Sequence, residues 1–309
     1  MRLCVIAAGC YTDRGMYSAN ELRGLSLLAV ALLCTAATVA AQTLAAPDLP
    51  PGELVRLAVA NEVAPANIPA VRHRFRSRKQ TPKGSLTRLY VQTNEALAAM
   101  LIAINDQPLT AQQKQGELNH LAWLMGSPDQ FRKKHAQEKK DADQTLRIVK
   151  ALPDAFRYVY ANTESTMPGT SQDLVRLNFT PNPAYVPPSR IEQVLQGMQG
   201  FLLIDPERRR IAQIDGTLFR DVSFGWGIVG RLNKGGHFLV RQANVGDGSW
   251  AITEMQLNIT GTILLFKTLT MVSDEVFSDF RPVPDNLTFG QGVEMLKSGE
   301  KMAHDGRTP

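Results

Sequence analysis

Few residues in this sequence have the types and spacings that catalysis needs. The chain contains no Gly-x-Ser-x-Gly elbow, no His-Glu-x-x-His, no P-loop and no Cys-x-x-Cys. Glu117 and His120 have the spacing of half a di-iron motif, but there is no second copy, so a pair on a helix surface is the favoured interpretation. We therefore predict no catalytic site, no metal and no cofactor.

His237 is the histidine closest to a glycine-rich segment, and it is the best candidate for a general base. A hydrolase would need a carboxylate to orient this imidazole, and Asp221 and Asp247 are the nearby candidates in the sequence. An envelope hydrolase is therefore a third hypothesis, ranked below the two binding functions given at the end of this section.

A basic segment is more distinctive than any catalytic residue. Arg72, Arg74, Arg76 and Arg78 alternate with other residues, so a strand would place all four on one face. One interpretation is a surface that binds lipid headgroups, lipopolysaccharide phosphates or an acidic protein. The other, which is favoured, is the solvated face of an edge strand, where charges oppose aggregation.

Apolar residues recur at every second position in many of the predicted strands, which indicates a sheet with one apolar face. The candidates for contact with an apolar ligand are Phe201, Leu203, Trp226, Trp250, Leu257 and Leu265. This face is either a core filled by helices or the wall of a cavity for acyl chains, and the pattern does not separate the two. For the two tryptophans, filling the core is the favoured role.

The first 41 residues have the pattern of a secretory signal, with Met16 as an alternative start. Arg23 precedes an apolar core of about ten residues, and Val39 and Ala41 form a cleavage site. The apolar core is shorter than the roughly 20 residues of a membrane span, and an uncleaved anchor is the alternative. The leader contains all three cysteines, Cys4, Cys10 and Cys34. We expect a periplasmic or secreted protein that does not bind nucleic acid.

The rest of the chain is predicted to be one domain, residues 42–296, followed by a disordered tail, 297–309. A chain of 309 residues with 44% hydrophobic residues, 20% charged residues and a net charge of +5 is typical of a globular protein and excludes collagen-like and wholly disordered classes. Helices are predicted at 53–62, 112–125, 129–151 and 190–198, with Pro153 ending the third. Strands are predicted at 71–78, 87–93, 98–104, 156–162, 174–179, 201–204, 210–219, 222–229, 237–244, 250–258, 262–271 and 275–280.

These elements predict an α+β fold that is mainly β. Short connections, including turns at 260–261 and 272–274, favour antiparallel neighbours. The architecture expected is a large curved antiparallel sheet, an unclosed half-barrel, covered by a few helices on its inner face. A helical hairpin at 110–152 is inserted between strand regions.

Several runs resemble an uncharacterised family of exported bacterial proteins. They are Ala151-Leu152-Pro153-Asp154-Ala155-Phe156, Phe179-Thr180-Pro181-Asn182-Pro183, Ile204-Asp205-Pro206, Leu265-Phe266-Lys267-Thr268, and the runs 103–110, 194–200 and 221–232. The order of elements is also similar to the LolA/LolB lipoprotein carriers and RseB-type sensor domains. That resemblance implies an unclosed barrel whose concave apolar face holds acyl chains, although the charged hairpin at 112–151 departs from those carriers.

We therefore expect an exported, non-catalytic cell-envelope protein that holds a lipid, a lipoprotein acyl chain or another apolar ligand in a curved sheet. The alternative is a protein-interaction or scaffold module with a filled core, which would use the basic strand and the helical hairpin as its contact surface. An anionic membrane surface or an acidic protein would then be the partner.

Overall fold

A single antiparallel sheet of 13 strands dominates the computed structural model, which describes residues 49–64, 71–161, 174–224, 230–246, 248–263 and 267–305. The strands are β1 (Arg72–Thr81), β2 (Gly84–Gln92), β3 (Leu97–Ile104), β4 (Gln107–Pro108), β5 (Phe156–Tyr160), β6 (Val175–Pro181), β7 (Met198–Asp205), β8 (Arg210–Leu218), β9 (Val222–Phe224), β10 (Gly230–Leu232), β11 (His237–Asn244), β12 (Trp250–Ile263) and β13 (Lys267–Val283). Their order is β4-β3-β2-β1-β13-β12-β11-β8-β7-β6-β5, with β10 pairing β12 and β9 beyond it. The sheet is unclosed, and the predicted fold class is confirmed. The predicted leader lies outside the described residues.

The helices are α1 (Pro51–Val63), α2 (Ala111–Gly126), α3 (Pro128–Ala155) and α4 (Phe289–Asp305), with a 3₁₀ helix at Glu192–Gly197. Helix α2 begins at a capping box, in which Thr110 and Gln113 each accept a hydrogen bond from the other's backbone N–H. Helix α4 was not predicted, and it includes residues 297–305, which were predicted as the start of a disordered tail. No helix of the described ranges is long and apolar enough to cross a membrane.

Pro153 was predicted to end the third helix, but it lies inside α3. This proline lies in the last turn of α3, where its missing N–H costs one intrahelical hydrogen bond and where the carbonyl groups of the helix end accept from other donors. The Tyr158 hydroxyl donates to the Leu152 carbonyl at 2.7 Å, and the Asn182 side chain donates to the Asp154 carbonyl at 2.9 Å. The helix therefore continues to Ala155 and leads directly into β5.

Strands β12 and β13 are longer than predicted, because the expected turns at 260–261 and 272–274 lie within paired strands. Gly261 is needed for close approach: a Cβ there would lie 2.2 Å from the carbonyl oxygen of Arg231 on β10. This glycine therefore admits a neighbouring strand instead of forming a turn. The pairing of β12 with β13 extends to Ile263 and Lys267, and residues 264–266 lie outside the described residues.

Two large cores lie under the helices. The first lies beneath α1 and α3 on strands β5–β8 and includes Leu54, Val55, Leu152, Phe156, Leu177, Leu202, Ile204, Ile211 and Leu218. The second lies beneath α2 and α4 on β2 and β3 and includes Val91, Ala98, Met100, Leu121, Leu124, Val293 and Leu296.

Strand register places these cores on opposite faces of the sheet. Residues that pair directly across neighbouring strands lie on the same face of a sheet. A row of such pairs runs from Leu202 of the first core, across β8, β11, β12 and β13, to Lys79 on β1. Val91 of the second core pairs with Arg74 on the same strand. Because Lys79 and Arg74 are five residues apart, their side chains project from opposite faces. The helices therefore cover both faces, one at each end, and not a single inner face as predicted.

Candidate functional site

A cleft of about 410 Å³ lies between the middle of helix α4 and the sheet, and we call it the α4 cleft. It is lined by Arg74, Phe75, Arg76, Leu89, Tyr90, Val91, Ile102, Asp279, Arg281, Met295, Leu296 and Gly299. Small-molecule sites commonly enclose roughly 300–1,000 Å³. The α4 cleft is therefore large enough to hold a small ligand.

Apolar side chains of β2, β3 and α4 form much of the cleft's lining. Leu89 and Val91 are two residues apart on β2 and share the face that α4 covers. Helix α4 is held close to the sheet near its start, where a Cβ on Gly292 would lie 2.6 Å from the Cγ2 atom of Thr93. Farther along the helix, Met295 and Leu296 reach the cleft.

The N-terminus of α4 is fixed by three side-chain acceptors. Glu95 accepts a hydrogen bond from the backbone N–H of Phe289 at 2.6 Å. Thr288 and Gln291 form a reciprocal cap, in which the Thr288 hydroxyl accepts from the Gln291 N–H and the Gln291 side chain accepts from the Thr288 N–H. A carboxylate beside a helix N-terminus also interacts favourably with the helix dipole. The first turn of α4 is therefore anchored to the β2–β3 connection.

Three arginines add positive charge to this apolar lining. Arg74 and Arg76 project from the face of β1 that α4 covers, and Arg281 of β13 lies directly opposite Arg74. Like charges at directly opposed positions repel each other. Within the described part of the chain, Arg74 and Arg281 have no carboxylate or hydrogen-bonding partner for their side chains.

The other two arginines of the predicted basic face do not line the cleft. The guanidinium of Arg78 donates to both carboxylate oxygens of Asp106, each at 2.6 Å. These hydrogen bonds lower the pKa of the Asp106 carboxyl. Arg72 lies opposite Val283, beyond the cleft lining. The prediction that all four share a face is confirmed, but the structure brings only Arg74 and Arg76 to the cleft.

A β-bulge shapes the rim of the cleft. Arg74 pairs with Arg281 and Arg76 pairs with Ser278, so β13 has one extra residue in this interval. Asp279, in this interval, adopts the left-handed region at φ +56°, where aspartate is more common than most residues. Its carboxylate lies 3.8 Å from the Arg76 guanidinium. The bulge thus supplies the one carboxylate that the described residues add to the lining, against three guanidinium groups.

Three of the predicted apolar ligand contacts lie outside the α4 cleft. Phe201, Leu203 and Trp250 pack with Leu174 and Ala212 in a third cluster, on the sheet face opposite the first core. Arginine guanidinium groups cover two of these rings, Arg176 over Phe201 at 3.8 Å and Arg210 over Trp250 at 5.8 Å. These three residues are therefore packed against neighbours and do not line the α4 cleft.

The remaining members of that predicted set are Leu257, Trp226 and Leu265. Leu257 is half-buried on β12, opposite Phe238 and Ser273. Trp226 and Leu265 lie outside the described residues. The sequence pattern therefore identified strands with apolar faces but did not locate the cleft.

The candidate base of a hydrolase has a different partner from those expected. His237 contacts Asp215 across β8 and β11, with Nε2 and Oδ1 2.9 Å apart. Asp221 instead accepts the Lys234 backbone N–H at 2.7 Å, and Asp247 lies outside the described residues. The pairing of His237 with Asp221 is thus wrong, and the observed contact is a half-exposed cross-strand pair.

The Glu117 and His120 pair lies on α2, as expected, and each has a structural contact. Glu117 accepts the backbone N–H of Leu101 at 2.8 Å, so it satisfies a donor on β3. The His120 ring packs beside Trp123 with centroids 5.8 Å apart. Among the described residues, no group of three or more His, Cys, Asp or Glu side chains is arranged to hold a metal.

A buried polar cluster on the opposite face of β1 was missed by the sequence analysis. The Ser77 hydroxyl donates to Glu275 at 2.5 Å, and Lys79 lies 3.4 Å from the other oxygen of Glu275. A serine close to a lysine can form a nucleophile and base, but the exposed fraction of Ser77 is 2%. Burial closes this hydroxyl to a substrate, so the cluster joins β1 to β13.

The sequence analysis also missed Asp279, Arg281, Met295 and Leu296 of the cleft. A signal for α4 was present, because Phe289, Val293 and Leu296 have the i, i+4, i+7 spacing of one helical face. For Arg281 no local signal existed, because its position depends on β13 pairing with the distant strand β1.

Comparison with protein-family models gave no match, and neither did comparison with curated protein sequences. Among solved structures, the chain is similar to the crystal structure of a DUF1329 family protein from Desulfovibrio piger, with 13% sequence identity and a TM-score of 0.28. The match covers 80% of this chain and 99% of that chain. A likeness at this TM-score shows neither the fold nor the function of this chain, and the resemblance to the lipoprotein carriers stays a prediction.

Proposed function

We propose that this protein is an exported, non-catalytic binding protein of the cell envelope that holds an apolar ligand, such as a lipid or an acyl chain, in the α4 cleft. The observation that carries the proposal is an apolar cleft of about 410 Å³ between α4 and the sheet. The predicted signal sequence is the reason for placing the protein in the envelope.

The lining of the cleft supports a ligand with an apolar portion. Leu89 and Val91 contribute from the sheet, and Met295 and Leu296 contribute from the helix, so a ligand chain would be covered on two sides. Removing apolar surface from water stabilises such a complex by about 25 cal/mol per Å². Methionine also adapts its shape to different chains because it is unbranched and flexible.

Binding of a neutral apolar fluorophore, N-phenyl-1-naphthylamine, tests the proposal. We expect saturable binding to the full chain and loss of most of that binding in Leu89→Trp, which fills the cleft. The matched control is Val159→Trp, which adds the same side chain at a position whose exposed fraction is 65%. Circular dichroism and the Tm of each variant confirm folding.

Equal binding by Leu89→Trp and by the wild-type chain would contradict the proposal, since the fluorophore would then bind elsewhere. In parallel, native protein is recovered from the cell envelope and extracted with organic solvent for mass spectrometry. A reproducible absence of co-purified lipid would count against a lipid ligand.

A second candidate function, a protein-interaction module, is favoured by an exposed apolar surface on the helical hairpin. Trp123 and Met125 of α2 have exposed fractions of 51% and 39%, and exposed aromatic residues are frequent anchors of interfaces. Photo-crosslinking from α2 in intact cells tests this function. A specific adduct that is lost in Trp123→Ser but kept in Leu89→Trp would favour an interaction module over a ligand carrier.

A further inference from the structure

We infer that the α4 cleft selects a single-chain amphiphile with an oxyanion headgroup, a carboxylate or a phosphate, which Arg74, Arg76 and Arg281 bind. This inference rests on the proposed function, and it specifies the chemical class of the ligand. It follows from three features of the cleft: two arginines without an acceptor among the described residues, apolar and charged side chains in one lining, and a carboxylate at the rim.

The arginines of β1 differ in how their charge is balanced. Arg78 makes two hydrogen bonds to Asp106, and Arg76 lies 3.8 Å from Asp279. Arg74 and Arg281 face each other across the β1–β13 ladder and, over the described ranges, have no such acceptor. Two opposed guanidinium groups repel each other, and an oxyanion between them would remove that repulsion. Arginine also presents paired N–H groups that match the geometry of carboxylate and phosphate oxygens.

The charged and apolar parts of the cleft match the two parts of an amphiphile. Leu89, Met295 and Leu296 would contact the chain, while the guanidinium groups lie within the same lining. Gly299 lets the Arg74 guanidinium lie close to α4, because a Cβ there would approach its Nη1 atom to 3.2 Å. The volume of about 410 Å³ lies toward the lower end of small-molecule sites, which favours one chain over several.

Substitution of Asp279 should strengthen anion binding, whereas substitution of the arginines should weaken it. Its carboxylate is the negative charge among the described lining residues, so it repels a bound anion and competes for Arg76. Asn tolerates the left-handed conformation that Asp279 adopts. Asp279→Asn should therefore strengthen the binding of anions while preserving the bulge.

The experiment measures displacement of N-phenyl-1-naphthylamine from the full chain by three ligands with the same chain length. These are dodecanoate, dodecyl phosphate and dodecanol, each kept below its aggregation concentration. We expect at least one of the anions to bind about tenfold more tightly than the alcohol, since hydrogen bonds to charged groups are stronger than those to neutral groups. The comparison of the two anions shows which headgroup is preferred.

Charge variants test whether the arginines cause that preference. In Arg74→Gln with Arg281→Gln, we expect affinity for the preferred anion to fall about tenfold or more and affinity for dodecanol to stay unchanged. Asp279→Asn should raise anion affinity about threefold, and this gain should shrink as salt is added. Arg157→Gln, at an exposed position on the far edge strand β5, controls for net charge. If the double variant proves unstable, Arg74→Lys replaces it. This variant keeps the charge but loses the paired N–H groups of the guanidinium, so we expect an intermediate affinity for the anion.

The outcomes separate the two proposals. If the fluorophore does not bind in the cleft, the proposed function fails. If the fluorophore binds but dodecanol competes as well as both anions, the proposed function stands and the anion inference is overturned. An anion preference that survives in the double arginine variant, or that Arg157→Gln abolishes equally, would also overturn it.

Discussion

The two helix-covered ends of the sheet bury their strands in different ways. At the β5–β8 end, α1 and α3 pack on a continuous set of aliphatic and aromatic side chains, and Val55, Leu177 and Ile204 are completely buried there. At the β1–β3 end, α4 packs closely near its start but stands away from β1 and β13, leaving the α4 cleft. The first end therefore serves stability, while the second combines stability with space for a ligand.

The residue types that the strands present to the helices explain this difference. Strands β6 and β7 present Leu177, Leu202 and Ile204 to the first core. Strand β1 instead presents Arg74 and Arg76 toward α4. Burying a guanidinium without a partner is costly, so a helix cannot close over these side chains as it does over leucine. The basic strand thus accounts for the cleft as well as for its charge.

The largest effect expected is a difference in stability between matched leucine deletions at the two ends. Leu177→Ala creates a new cavity in a filled core and should lower the free energy of unfolding by about 4 kcal/mol. Leu89→Ala enlarges a space that already exists, and we expect a loss of about 1 kcal/mol. Urea denaturation of both variants measures the difference. Equal losses would show that the α4 cleft is as well filled as the first core.

Much of the fold was predictable because local patterns determine it. The alternation in β1 and the helix expected at 112–125, which is α2, were both predicted correctly from the sequence. Predictions failed where a distant contact decides the local structure. The Thr-Gly pair at 260–261 is typical of a turn, but Gly261 lies inside β12, where its lack of a side chain lets β10 approach closely. Pro153 fits a helix end, but α3 continues to Ala155, and the carbonyls near that end accept hydrogen bonds from Tyr158 and Asn182.

The candidate site was only half predictable for the same reason. Arg74 and Arg76 follow from alternation within one strand, so their shared face could be predicted. Arg281 joins them through pairing between the first and last long strands of the sheet, and no local pattern specifies that register. Whether apolar strands border a core or a cleft depends on how closely a helix approaches, which composition does not reveal.

The next effect expected is a difference in alkaline sensitivity between the two ends. Burial raises the pKa of Tyr158 at the β5–β8 end, and the charge of Asp154 adds to this shift. Burial also raises the pKa of Tyr90 at the cleft end, but the charge of Arg88 opposes that shift. A raised pKa in the folded state means that stability is fully present below the ordinary phenol pKa near 10 and is lost as pH rises above it.

Substitution of each tyrosine by phenylalanine measures these contributions. Tyr158→Phe should lower stability by about 1 kcal/mol at pH 8, because it removes the hydrogen bond to the Leu152 carbonyl. Between pH 8 and roughly pH 11, the variant should lose less stability than the wild-type chain does. Tyr90→Phe should change the alkaline loss by a smaller amount. Urea denaturation across this pH range checks both, and an alkaline loss unchanged by Tyr158→Phe would contradict the assignment.

The smallest effect expected concerns the attachment of α4. Glu95 accepts the Phe289 N–H at the start of this helix, so Glu95→Gln removes a charge that the helix dipole favours. We expect a loss of about 0.5–1 kcal/mol, confined to the cleft end and reduced by salt. Hydrogen exchange should therefore accelerate in α4 and stay unchanged in α1. Glu53→Gln, in the first turn of α1, is the matched control and should have the reverse pattern. If either variant accelerates exchange equally in both helices, the two ends open together, and the α4 cleft cannot admit a ligand by local opening of its own helix.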